Sequence, residues 1–233
     1  RWRYARSFYF QSGNDPMELA RTTRAVGGVC LVLLGLLAFF YGRWIGGNSV
    51  GLISALLITF LPDSLAHGAV AYNDLMLALA FLGAIWVLDL AVTKGSKKRW
   101  GVLAGVVVAL ALGVKFSALA LFPVAAVLFA LEHLAGDGSK QPQTGDPSRP
   151  EQALWRSTLA KAGLATLGVY LTTVVLYDGD FQLLRLIEGL KITVEHALVG
   201  HEAPAYLFGA TQDNGFWFYF PVAFLVKSPV ALQ

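Results

Sequence analysis

Residues 101–131 read GVLAGVVVALALGVKFSALALFPVAAVLFAL, an apolar stretch interrupted only by Lys115. At about 1.5 Å of rise per residue, one helix of that length overshoots the roughly 30 Å of hydrocarbon in a bilayer. The stretch therefore predicts a tight helical hairpin turning at Gly113–Ser117. Strands are not expected, because the run is rich in Leu and Ala and lacks a two-residue alternation.

Working outward gives further apolar runs at Ala25–Tyr41, Val50–Leu61, Leu75–Val92, Thr158–Tyr177 and Phe216–Gln233, beside Gly101–Val114 and Phe116–Leu131. The predicted fold is all-α, a polytopic transmembrane helical bundle of about seven spans forming a single domain over residues 1–233. Composition agrees. Hydrophobic residues make up 56% of the chain and charged residues 14%, with a mean hydropathy of +0.58. A soluble chain of this size has too little interior to hide that much apolar surface.

The basic residues fall in alternate gaps. Arg43 follows the first run, Lys94, Lys97, Lys98 and Arg99 follow the third, and Lys140, Arg149, Arg156 and Lys161 surround the gap after the fifth. The remaining gaps hold only Lys115, Arg185 and Lys191. The richer gaps are expected on the cytoplasmic side. Pro62–Asp74, Lys115 and the segment 178–215 then face outward. Arg1, Arg3, Arg6, Arg21 and Arg24 precede the first run and resist this rule. Either the orientation is reversed or these arginines meet an anionic lipid phosphate at the outer surface.

Between the spans, Gly136–Pro150 is rich in Gly, Pro, Ser, Asp and Gln, the composition of a flexible cytoplasmic loop. In the outward segment, Phe181, Leu184, Ile187, Leu190 and Val194 recur at helical spacing with charged residues between them. That spacing predicts an amphipathic helix in the outer interface. The pI near 9.0 follows from the basic gaps and calls for no nucleic acid. Cys30 is the single cysteine, so redox compartment is not legible. No phosphate-binding Gly-rich loop, nucleophile elbow or Cys/His metal motif occurs. Both chain ends read as internal, so a fragment truncated at each end is expected.

Several polar residues are candidates for chemistry. Asp74 opens the run Leu75–Val92 after an outward segment. It reads either as a helix N-cap or as a carboxylate at the mouth of an outward cavity, binding a cation or orienting a hydroxyl; both can hold together. His67 lies on the face of Asp74 if the intervening residues are helical. Lys115 reads as a turn lysine that snorkels, or as a cation for a phosphate. Lys227 falls deep in the last run unless Pro221 and Pro229 kink it. The Phe216–Phe220 aromatics form an interfacial belt. His196, His201 and Glu202 cluster without the spacing of a standard metal site.

The order of these features resembles the bacterial GT-C glycosyltransferases of the protein mannosyltransferase and aminoarabinose-transferase type. The resemblance runs through Leu19-Ala20-Arg21, AHGAVAYNDLMLAL (66–79), ALGVKFSALALFPVA (111–125), GHEAPAYLFG (200–209) and NGFWFYFPVAFLVKSP (214–229). It implies an integral protein of the bacterial inner membrane with its active site facing the periplasm. The implied reaction is an inverting transfer from a polyprenyl-phosphate-linked sugar to a lipid, glycan or protein acceptor. Asp74 would be catalytic, and Lys115, Arg21, His67, Lys227 and Tyr72 would bind the lipid phosphate or sugar. A divalent cation is possible and no cofactor is assigned. The family's principal acidic motif would lie upstream of Arg1, so this stretch alone is expected to be inactive. The rival class is a transporter or flippase for lipid-linked or small solutes, which predicts inverted repeats or paired broken helices. Neither is visible here. A non-catalytic membrane scaffold is a third class, and it gives no reason for a lysine deep in a span.

Overall fold

The computed structural model describes residues 2–70, 72–93, 99–136, 149–199, 204–213 and 215–227. A short helix α1 (Trp2–Phe10) precedes α2 (Pro16–Phe60). Pro16 opens α2 at a position where a missing N–H costs nothing, and the Asp15 carboxylate accepts from the Met17 N–H at 2.8 Å. The helix is broken at Gly46 and Gly47, the latter at φ +84, a conformation that excludes most side chains. After the break, residues 48–60 return along 16–45. A Cβ on Gly42 would strike Ser54 and Gly51, and one on Gly35 would strike Thr59. The first two apolar runs are therefore an antiparallel hairpin, with its turn inside the predicted Gly42–Asn48 gap.

Helix α3 (Pro62–Gly68) packs on α2 and delivers the chain to α4 (Asp74–Thr93). Helix α5 (Arg99–Val114) returns antiparallel to α4. Lys115 is extended, at φ −161 and ψ 137, and a 3-10 turn over Phe116–Ala120 leads into α6 (Leu121–Gly136). The break falls where the sequence predicts it, but the expected tight hairpin is corrected: the 3-10 turn swings α6 onto α4 rather than along α5.

Helix α7 (Arg149–Leu176) makes the most extensive helix–helix contact, against α5. In lipid, close backbone approach supplies the packing that water would otherwise drive. A Cβ on Gly101 would lie 2.7 Å from the Lys161 carbonyl oxygen, and one on Gly168 would lie 2.8 Å from that of Val102. Gly105 meets Ala165 still more closely. One core cluster joins Ala84, Val108, Ala111, Leu112, Ala118 and Leu121; a second joins Cys30, Leu34 and Leu75. Outward-directed Val29, Val32, Leu36, Ile53, Leu171 and Val175 are exposed, as a hydrocarbon solvent requires.

Among the described residues, Pro16–Phe60, Asp74–Ala91 and Leu159–Leu176 are helices long and apolar enough to cross a membrane. Arg99–Val114 and Phe116–Leu128 are shorter apolar helices. Length alone among the described residues does not confirm the count of seven. The last run is described only to Lys227, as α9 (Tyr219–Lys227). The loop expected over 136–150 falls largely outside the described residues.

Beyond α7, helix α8 (Leu184–Val199) leaves Phe181, Leu184, Ile187 and Val194 exposed and turns Gly189 against the Phe116 ring. Leu190, at the same helical spacing, is half-buried. Among the described residues a small hairpin is the exception to the helical architecture. Strands β1 (Ala205–Leu207) and β2 (Ala210–Gln212) pair antiparallel, Ala205 opposite Gln212. Phe208 and Gly209 turn between them with φ of 50 and 85, the backbone of a tight hairpin turn.

The antiparallel order sends Arg43, Arg99 and Lys161 to one end of the bundle and His67, Asp74, Lys115 and Tyr177 to the other. At the first end Lys161 is only 3% exposed. Its Nζ donates to the Ala91 carbonyl at 2.8 Å, placing a cation where α4 ends and its carbonyls lack helical partners.

Candidate functional site

The site forms where α4 begins and α5 ends. Asp74 is the first residue of α4, and the preceding Asn73 supplies the carbonyl that accepts from the Leu77 N–H at 2.9 Å. Asp74 therefore sits one place further into the helix than the N-cap reading expects. Its carboxylate is still favoured by the positive helix end, and its side chain is free to reach sideways. Lys115 leaves the last turn of α5 in extended backbone, which points its side chain back across the gap.

The two meet. Lys115 Nζ donates to Asp74 Oδ1 at 2.8 Å. Asn73 Nδ2 donates to the Val114 carbonyl at 3.2 Å, a second tie between the same two helix ends. The Lys115 ammonium also lies 5.7 Å from the centre of the Tyr72 ring. The hydrogen bond to Asp74 raises the Lys115 amine above the ordinary lysine value, with partial burial opposing and the Asp74 charge adding to the rise. The amine is therefore a cation throughout the neutral range.

His67 reaches the other carboxylate oxygen. Its Nδ1 is 3.7 Å from Asp74 Oδ2, and the ring centre is 6.1 Å from that of Tyr72. The route differs from the expected one: α3 ends at Gly68, so the two residues do not share one helix but are brought together by the turn between α3 and α4. His67 Nδ1 is buried and has no hydrogen-bond partner.

A cavity of about 350 Å³ opens beside this cluster, lined by Thr23, Val26, Gly27 and Cys30 of α2 and by Tyr72, Asn73, Leu75 and Met76. Positions 23, 26, 27 and 30 follow helical spacing on one face of α2, a signal the sequence contains but that single-residue chemistry does not reveal. Arg21 is exposed, and at 3.6 residues per turn it lies on the far side of α2 from that face. Among the described residues it has no ion pair. Lys227 closes α9, but its side chain lies outside the described part. The same holds for the side chain of His196, and His201 and Glu202 are outside the described residues altogether. Among the described residues no group of three or more His, Cys, Asp or Glu side chains converges as a metal site would require.

A family model described as dolichyl-phosphate-mannose-protein mannosyltransferase matches residues 18–138, more than half of the chain. The chain belongs to that family. It is a membrane glycosyltransferase family of the GT-C type. The matched span of this mannosyltransferase-family chain contains Arg21, His67, Tyr72, Asp74 and Lys115. The late segment 200–229, quoted above for its resemblance, lies beyond it. No curated protein and no solved structure matches the chain.

Proposed function

We propose that this chain carries part of the active site for transfer of a sugar from a polyprenyl-phosphate carrier to an acceptor hydroxyl at the outer face of a bacterial plasma membrane. The observation that supports the reading is the Asp74–Lys115 contact at 2.8 Å between residues 41 positions apart. In the transfer, the acceptor oxygen bonds the anomeric carbon as its O–H proton passes to a carboxylate base. The bond from that carbon to the phosphate oxygen breaks, and its electron pair leaves with the lipid phosphate. Attack from the opposite face inverts the configuration.

Asp74 orients the acceptor hydroxyl and receives its hydrogen bond. Lys115 stabilises the departing phosphate. An ammonium has three donors, and with one committed to Asp74 the others remain for phosphate oxygens. The apolar cavity lined by Val26, Cys30, Leu75 and Met76 suits the isoprenoid part of the carrier, with Tyr72 and Asn73 at its polar rim. His67 and Tyr72 border the head-group site. Arg21, on the exposed face of α2, is assigned to lipid phosphate at the outer surface, and Lys227 to the carrier. The acceptor is a lipid, glycan or protein. Family membership weighs for group transfer over the transporter reading.

The test is Asp74→Asn and Lys115→Ala in the full-length protein, measuring sugar transfer from a polyprenyl-phosphate-linked donor. Each is expected to lower turnover by about 100-fold or more, the scale of a lost positioned acid–base or charge-stabilising group. Undiminished transfer in both variants removes these residues from the site.

A further inference from the structure

The mechanism above assigns Lys115 and the acceptor hydroxyl to the Asp74 carboxylate and places the neighbouring imidazole only at the border of the head-group site. Lys115 holds Oδ1, while His67 Nδ1 stands 3.7 Å from Oδ2, too far for a hydrogen bond. That nitrogen is buried and unpartnered. The Asp74 carboxylate is the charged group that faces it. In the imidazolium form Nδ1–H is a charge-assisted donor facing an acceptor, and an approach of about 1 Å would complete the bond.

We propose that His67 is a positioning residue that acts through Asp74, closing on Oδ2 as the imidazolium, with Nδ1–H as donor, and releasing that oxygen when the ring is neutral with Nδ1 bare. The inference rests on the assignment of Asp74 as the residue that orients the acceptor. In the protonated state two cations hold the carboxylate, one on each oxygen, and the acceptor hydroxyl must compete with His67 for the lone pairs of Oδ2. In the neutral state Lys115 keeps Oδ1 and the acceptor hydroxyl can take Oδ2.

The surrounding groups allow this. Asp63 lies one turn earlier on α3, Tyr72 supplies its ring from the connection to α4, and Lys115 faces the carboxylate from the end of α5. The packed part of α2 presents Gly27 and Leu31 to Gly68 of α3. Its nearest charged residues in sequence, Arg24 and Arg21, are exposed. Asp74 is thus the acidic group placed to receive a proton-bearing Nδ1.

The test uses the whole chain in lipid nanodiscs, with ¹⁵N-labelled histidine and ¹³C-carboxyl-labelled aspartate, titrated from pH 8 to pH 5. No substrate is needed. Assignment comes from His67→Gln and Asp74→Asn. Protonation of His67 Nδ1 is expected to move the Asp74 carboxyl resonance in the same step, and that step is expected to vanish in His67→Gln. An Asp74 resonance indifferent to the His67 step, or an Nδ1 already protonated at pH 8, overturns the proposal. Because the readout is independent of turnover, the proposal can fail while Asp74→Asn still abolishes transfer. Conversely, the coupling can stand while Asp74→Asn leaves transfer intact, which would sink the catalytic assignment alone.

Discussion

Asp74 and Lys115 are 41 positions apart and meet at 2.8 Å, one at the first residue of α4 and the other just past the last residue of α5. Neither is a buried charge: their side chains are 33% and 42% exposed. Exposed pairs contribute only about 0.2–1 kcal/mol to stability. The contact is therefore poorly explained as a device for holding the bundle together, and its worth is expected in binding and chemistry.

If the basic turns are cytoplasmic, the acid–amine end of the bundle faces outward. With the native cysteine removed by Cys30→Ala, Lys115→Cys is expected to react with a membrane-impermeant thiol reagent added outside intact cells. Arg43→Cys is expected to react only after the membrane is opened. The reverse pattern inverts the orientation.

The raised Lys115 amine gives a signed pH expectation. Whatever the contact contributes is fully present below the ordinary lysine value and is lost as pH rises through the raised one. Acylation of Lys115 by an amine-selective reagent, followed by mass spectrometry across alkaline pH, should therefore set in later than for a free lysine. Asp74→Asn should bring the onset to lower pH. Unchanged acylation in that variant would show that the carboxylate does not hold the amine.

The α5–α7 seam depends on residues without side chains. Gly105→Val forces new atoms into the Ala165 backbone and is expected to cost at least 1–3 kcal/mol, the usual scale of overpacking. Gly163→Ala on α7 meets nothing within 4 Å and should be neutral or slightly stabilising. Thermal unfolding of the purified chain in detergent distinguishes them, and equal midpoints would contradict the seam.

Lys161 holds the opposite end of the bundle. Lys161→Met removes the donor to the Ala91 carbonyl. The expected destabilisation is about 1–3 kcal/mol, the cost of leaving a buried acceptor unsatisfied. A denaturation midpoint equal to that of the unsubstituted chain would show that the α4 terminus needs no cap.

The breaks in the bundle were legible because Gly46, Gly47 and Lys115 interrupt apolar runs with residues that change backbone freedom or polarity. The pairing of helices was not. Gly101, Gly105 and Gly168 sit in runs where a small residue facing lipid and one facing a helix look alike. The hairpin at 205–212 escaped because its strands are three residues each, too short for alternation to register. At the site, Asp74 and Lys115 stood out as charges flanking spans. Their contact, the Asn73–Val114 tie and the cavity face of α2 required the fold. Arg21 shows the converse: it stands beside the first span in sequence, yet helical geometry turns it away from the cavity.

The most direct measurement is a double-mutant cycle on sugar transfer by the full-length protein, combining Asp74→Asn with Lys115→Met. If the pair works as one unit, the double variant should lose about as much activity as the worse single variant, because groups acting together are not additive. Full activity in either single variant, or losses that simply multiply, would contradict a shared site.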